Sequence, residues 1–185
     1  MRVIAGTCRS LPLKTLPGRD TRPTTDRIKE TLFNMMQTWV PESRFLDLFA
    51  GSGAIGIEAL SRGAEYACFV DSSRKAAGII EDNLAFTRLR DRAGVLTMDA
   101  SAALGVLERQ EPFDIVFMDP PYRQGLERMI LEQLRGSGCV HADTLYIVEA
   151  ALETDMEYIA DLGYTIVKFR EYRTNKHLFL KRIGE

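Results

Sequence analysis

Residue types that often anchor chemistry are scarce in this sequence. Its 185 residues hold two histidines, three cysteines and one tryptophan. Cys8, Cys68 and Cys139 are far apart and odd in number, with no C-x-x-C pair and no Cys/His cluster. That pattern supports neither a disulfide framework nor a zinc site, so no metal is expected. His141 and His177 stand alone and carry no assigned role. No apolar run reaches the roughly 18 residues that a membrane span needs. The opening Met1-Arg2-Val3-Ile4-Ala5-Gly6 lacks the apolar stretch of a signal peptide, so the expected location is cytoplasmic and no membrane partner is expected.

Charge of one sign is also lacking: the net value is −2, which by itself argues against a polyanionic partner. Its distribution argues the other way. Residues 1–30 carry seven basic and three acidic side chains, a local excess of +4, while the remainder is net −6. A basic arm on an acidic body suits local contact with a nucleic acid.

What is present in abundance is alternation. Residues 1–23, punctuated by Gly6, Pro12, Pro17, Gly18 and Pro23, read as an arm whose runs Arg2–Ala5 and Leu11–Leu16 are placed to pair as a hairpin. From residue 24 to 185 the chain reads as one further unit. It opens with a helix over Thr25–Trp39, with apolar residues at helical spacing and Pro41 behind it. Strands follow at Phe45–Phe49, Tyr66–Val70, Ala93–Thr97, Phe113–Met118 and Thr144–Val148. The helices between them are expected at Ile55–Arg62, Arg74–Leu84, Ala102–Arg109 and Leu126–Leu134. A short helix over Asp155–Leu162 and a closing hairpin, Tyr164–Phe169 with Lys176–Lys181, complete the pattern. The expectation is an α/β fold with a doubly wound, mostly parallel seven-stranded sheet.

The first strand runs into Ala50-Gly51-Ser52-Gly53-Ala54-Ile55-Gly56. A glycine turn between strand and helix lets the backbone approach a nucleotide closely. Charge selects which one. Asp47 lies four residues before Gly51, where a carboxylate would repel a pyrophosphate but attract the sulfonium and ammonium groups of S-adenosylmethionine. Asp71 ends the second strand, placed to accept from ribose hydroxyls, and Asp99 follows the third, within reach of an adenine amine. Ala50, Gly51, Gly53, Ser72 and Ala100 complete this candidate cofactor set around the three acids. Asp47-Leu48-Phe49-Ala50-Gly51-Ser52-Gly53 resembles the first motif of class I S-adenosylmethionine-dependent methyltransferases.

Asp119-Pro120-Pro121-Tyr122 follows the fourth strand. The two prolines stiffen the segment and leave its carbonyls as acceptors. An exocyclic base amine is a poor nucleophile because its lone pair is delocalised. The Asp119 carboxylate and the Pro120 carbonyl can accept its two hydrogens and favour a pyramidal nitrogen, while Tyr122 stacks on a flipped or unpaired base. The tetrapeptide resembles the [D/N/S]-P-P-[Y/F/W] motif of amino-methyltransferases.

Arg2-Val3-Ile4-Ala5-Gly6, Thr21-Arg22-Pro23-Thr24-Thr25-Asp26-Arg27 and Lys29-Glu30-Thr31-Leu32-Phe33-Asn34, taken with these two motifs, resemble the bacterial 16S rRNA guanine-N2 methyltransferase family of RsmD type over nearly the whole chain. The resemblance implies a seven-stranded class I fold, S-adenosylmethionine as donor and one guanine of small-subunit rRNA, free or in an assembling subunit, as acceptor. It places Thr24 at the methionine end of the cofactor. By the resemblance Arg22 and Arg27 meet either the methionine carboxylate or RNA; Arg9 and Arg19, as part of the basic arm, are expected to meet RNA. Where the family usually has R-G-R this chain has Cys8-Arg9-Ser10, and Tyr172 is followed by Arg173 rather than glycine. The competing functions are adenine-N6 methylation of DNA or RNA, protein-glutamine methylation and, from another class, an NAD oxidoreductase or a nucleotide-binding module without catalysis.

Overall fold

The computed structural model describes residues 1–16 and 26–184. Its elements in chain order are α1 (Asp26–Met35), β1 (Arg44–Asp47), α2 (Ala54–Ser61), β2 (Tyr66–Val70), α3 (Arg74–Thr87), β3 (Ala93–Leu96), α4 (Ala100–Leu107), β4 (Phe113–Met118), α5 (Leu126–Arg135), β5 (Val140–Ala151), α6 (Tyr158–Asp161), β6 (Tyr164–Glu171) and β7 (Asn175–Arg182). The strands form one seven-stranded sheet in the order β3-β2-β1-β4-β5-β7-β6. β1 to β5 are parallel, and β7 runs antiparallel to both β5 and β6.

Successive strand residues face opposite sides, and both sides are covered. Phe45, Phe69, Ile115, Phe117 and Ile147 pack with α1, α2 and α3 on one face. Leu46, Val70, Val116, Met118 and Val148 pack with α4, α5 and α6 on the other. This is the doubly wound architecture the alternation implies.

The arm differs from its expected form. Arg2 and Pro12 make a single antiparallel bridge, extended by Val3 N to Leu11 O (2.9 Å) and Leu13 N to Met1 O (3.0 Å). Beyond that bridge Ser10, not Leu11, donates its amide to Val3 O (2.8 Å), and the Leu11 amide turns to Cys8 O (3.2 Å), so the ladder closes into a turn and no pair of full strands forms. What holds the arm is α2: Glu58 accepts from the amides of Ile4 (2.8 Å) and Ala5 (3.0 Å), from Lys29 Nζ (3.1 Å) and from Arg62 (2.7 Å). Gly6, at φ +83°, lies so close to Ser61 that a Cβ would stand 1.8 Å from its carbonyl oxygen. A side chain there would displace the arm.

Other boundaries move for local reasons. α1 stops at Met35, and Met36–Val40 form a turn closed by Trp39 N to Met36 O (2.9 Å), consistent with the bias against helix ahead of Pro41. Its expected start at Thr25 lies outside the described residues. β5 begins at Val140, earlier than the expected Thr144, where His141 and Asp143 interrupt the apolar run that marks its centre and so hide its start in the sequence. α6 shrinks to four residues.

Candidate active site

The strand order turns back between β1 and β4, so the carboxyl ends of these neighbours open the crevice where an open α/β sheet takes its ligand. Asp47 closes β1 and Asp119 follows β4, one on each side of that crevice.

On the β1 side, backbone geometry dominates. Gly51 (φ 55°) and Gly53 (φ 77°) are left-handed, and a Cβ on Gly51 would meet nothing within 4 Å, which leaves open space above the turn. Gly56 serves packing instead. A Cβ there would come within 2.3 Å of the Phe69 ring, so this glycine permits α2 to pack on β2. The Ala50 amide donates to Val70 O (2.9 Å), tying the turn to β2. Asp71 then braces it, accepting from the Gly51 amide on Oδ2 (2.9 Å) and from the Ser73 amide on Oδ1 (2.8 Å).

Asp47 is buried. Its Oδ2 accepts from the Gly56 amide (3.2 Å), while Oδ1 has no hydrogen-bond partner among the described residues. Burial, with help from Asp71, pushes its carboxyl up to about 7. An under-satisfied buried acid calls for a cationic or hydrogen-bonding ligand.

Asp99 is exposed and acts as the N-cap of α4, accepting from the Ser101 amide (2.8 Å) above buried Ala100. Ser72 is exposed, and its neighbour Ser73 caps α3. The set fits S-adenosylmethionine: an orphaned carboxylate oxygen for the cationic end, Asp71 oxygens with lone pairs to spare for a diol, and open space over Gly51.

On the β4 side, side chains dominate. Pro120 is buried, Pro121 is exposed and Tyr122 is 39% exposed. Burial, then the carboxylates of Glu149 and Asp47, hold the Asp119 carboxyl well above the usual carboxylate range. Tyr122 donates its hydroxyl to Glu149 Oε1 (3.1 Å), and the same oxygen accepts from Asn175 Nδ2 (2.5 Å). His177 Nε2 lies 2.8 Å from Glu149 Oε2. Reading the sequence missed Glu149, Asn175 and His177. The only signal was a charge closing the apolar run Tyr146–Val148, with its partners some 26 and 28 residues further on.

The arm reaches the same rim. Asn83 of α3 binds both sides of the Lys14 backbone (2.8 and 3.0 Å) and also donates to Ser52 O in the glycine turn (2.9 Å). Asn83, likewise unforeseen, thus brings Lys14 to the cofactor side of the crevice. Arg9 and Arg27 come together with Arg2 around a cleft of about 280 Å³, where Arg2 pairs with Asp26 (2.8 Å). Arg19, Arg22 and Thr24 lie outside the described residues. A larger cavity of about 480 Å³, lined by Trp39, Asp114, His141 and Lys181 among others, lies by the residues that open β4 and β5 and holds none of these groups.

Among the described residues no cluster of His, Cys, Asp or Glu is suited to a metal, and no helix is long and apolar enough to cross a membrane.

The model of a family described as conserved hypothetical protein 95 matches residues 1–181. YlbH of Bacillus subtilis is 40% identical over 167 residues, 89% of this chain and 91% of the relative. Ribosomal RNA small subunit methyltransferase D of Escherichia coli is 38% identical over 158 residues, 84% of this chain and 77% of the relative. The solved structure of yhhF from Escherichia coli aligns with a TM-score of 0.87 at 32% identity, covering 100% of this chain and 99% of that one.

Proposed function

The chain belongs to the family described as conserved hypothetical protein 95, and on that premise we propose that it moves the methyl group of S-adenosylmethionine to the exocyclic N2 amine of a guanine in 16S rRNA. Its fold is that of the class I methyltransferases. The observation that carries the reading is the placement of Asp119-Pro120-Pro121-Tyr122 across the crevice from the orphaned oxygen of Asp47. The relatives named small subunit methyltransferase D, at 34% and 38% identity, support the RNA acceptor.

The cofactor supplies an electrophilic methyl group. Asp47 lies toward its cationic end, Asp71 holds the ribose and Asp99 faces the adenine. On the other side, Asp119 and the Pro120 carbonyl accept the two N–H bonds of the amine and aim its lone pair. Burial strengthens Asp119 as an acceptor, since a carboxylate poorly solvated and close to other acids gains most from a neighbour that becomes positive. Tyr122 stacks on the base. Arg9 and Arg27, with Arg19 and Arg22, contact phosphate and bring the RNA to the rim. The substrate is small-subunit RNA, free or within an assembling particle.

Two measurements test this. Calorimetry with S-adenosylmethionine and with NAD should show binding of the first alone; NAD binding would return the glycine turn to a dinucleotide role. Incubation of unmodified small-subunit RNA with methyl-labelled cofactor should carry label into the RNA, and label found only in protein would refute the acceptor.

A further inference from the structure

Glu149 stands where the parallel strands end, directly opposite His177 in the β5–β7 register. Glu149 and Asn175 are each 6% exposed, and His177 is fully buried. An acid buried this deeply has to be matched by donors, and here it accepts from three: Tyr122, Asn175 and His177. The His177 Nδ1 atom has no partner among the described residues, so the ring's hydrogen belongs on Nε2, facing Glu149. Two of the donors come from one strand of the core. The third comes from a loop whose neighbours, Pro121 and Arg123, are exposed and in which Arg123 is left-handed (φ 64°).

Resting on the function proposed above, we infer that Glu149 is a positioning residue for methyl transfer: clamped by Asn175 and His177, it fixes the Tyr122 ring as the stacking wall of the base site. A tyrosine on an exposed loop otherwise samples several rotamers, and only the one that walls the crevice stacks on the base. Anchoring its hydroxyl to the rigid end of β5 removes that freedom before substrate arrives.

Glu149 also meets Asp119 electrostatically. The ionisable groups around Asp119 are Asp47 from β1, Glu149 from β5, His177 from β7 behind it, and Tyr122 of its own segment. Lys176, the nearby cation on β7, is turned away onto the carbonyls of Leu152 and Thr154 (3.1 and 2.7 Å). Replacing Glu149 by a neutral residue therefore lets Asp119 ionise at lower pH.

The test is a double-mutant cycle of Glu149→Gln and Tyr122→Phe, read by single-turnover methyl transfer, the pH dependence of that rate and cofactor affinity. Glu149→Gln should slow transfer about tenfold, shift the rate profile to lower pH and leave cofactor affinity within about twofold. Tyr122→Phe, an exposed change that does not threaten folding, should slow transfer a few-fold. The double variant should be no slower than Glu149→Gln alone. Losses that multiply independently, or a Glu149→Gln rate and pH profile like those of the unaltered protein, would overturn the inference. So would a Tyr122→Phe protein with unaltered rate, even if Glu149→Gln fails to fold. Absence of transfer by the unaltered protein would overturn the proposed function itself, which keeps the two failures apart.

Discussion

The two sides of the crevice are built in different ways. The cofactor side is local: Asp47, the glycine turn, Asp71 and Ser73 are joined mainly through backbone amides, within a stretch of about 26 residues. The acceptor side is assembled from distant strands. Tyr122 meets Glu149 across 27 residues, and Glu149 meets His177 across a further 28, on a strand running the opposite way. Backbone amides suit a ligand of fixed shape, whereas the base of the proposed reaction, which must be received, stacked and activated, needs side chains that can be placed separately.

The sharpest way to break this comparison is Asp119→Ala. On the proposed mechanism it removes one of two acceptors for the amine, and it should lower kcat about 10²–10³-fold while leaving cofactor affinity unchanged. Asn at the same position, with an oxygen that still accepts, should retain more activity than Ala in single-turnover assays. The pH dependence follows the same group. Asp119 is held above the ordinary carboxylate range, so it carries its negative charge only above that raised value, and the transfer rate should rise with pH through it. A profile that is flat across that range would remove Asp119 from the chemistry.

Asp71→Ala should do the converse. With the ribose acceptor of the proposed site lost, cofactor binding should weaken by about 1–3 kcal/mol in calorimetry, with little change in the rate at saturating cofactor. An unaltered affinity would take Asp71 out of the site.

Asp47→Asn sharpens the contrast through stability. Its carboxyl titrates near 7 when folded, above its ordinary value, so between those two points the unfolded chain is the one that releases its proton. This group therefore makes the cofactor-free protein less stable as pH rises from about 4 to about 7. Asn, still able to accept from Gly56, should raise the melting temperature at pH 8 and weaken cofactor binding. A lower melting temperature there would contradict the burial argument.

The smallest effect is expected at the arm. Arg9→Ala with Arg27→Ala should weaken RNA binding modestly and reduce its salt slope by about one per lost phosphate contact, leaving cofactor affinity as it was. An unaltered slope would mean that these arginines do not meet phosphate.

How much of this was legible in the sequence follows the same division. Strand β2 and strand β4 match their expected bounds, because buried parallel strands are written as continuous apolar runs. The Gly51–Gly56 turn and Asp119–Tyr122 were legible because each is contiguous. Glu149, Asn175 and His177 were not, since their meeting depends on the antiparallel register of β5 and β7, which no local pattern announces. The same holds for Asn83, whose link between Lys14 and Ser52 spans three segments. The start of β5 was hidden because polar residues there occupy a position of irregular register against β4.

The most direct test of the central claim, that the Asp119–Tyr122 platform receives a guanine amine, is nucleoside mass spectrometry. Unmodified small-subunit RNA would be treated with cofactor and either the unaltered protein or Asp119→Ala, then digested. The account predicts N2-methylguanosine with the first and a loss of about 10²-fold in its rate of formation with the second. N6-methyladenosine in its place, or N2-methylguanosine formed equally fast by a folded Asp119→Ala protein, would contradict it.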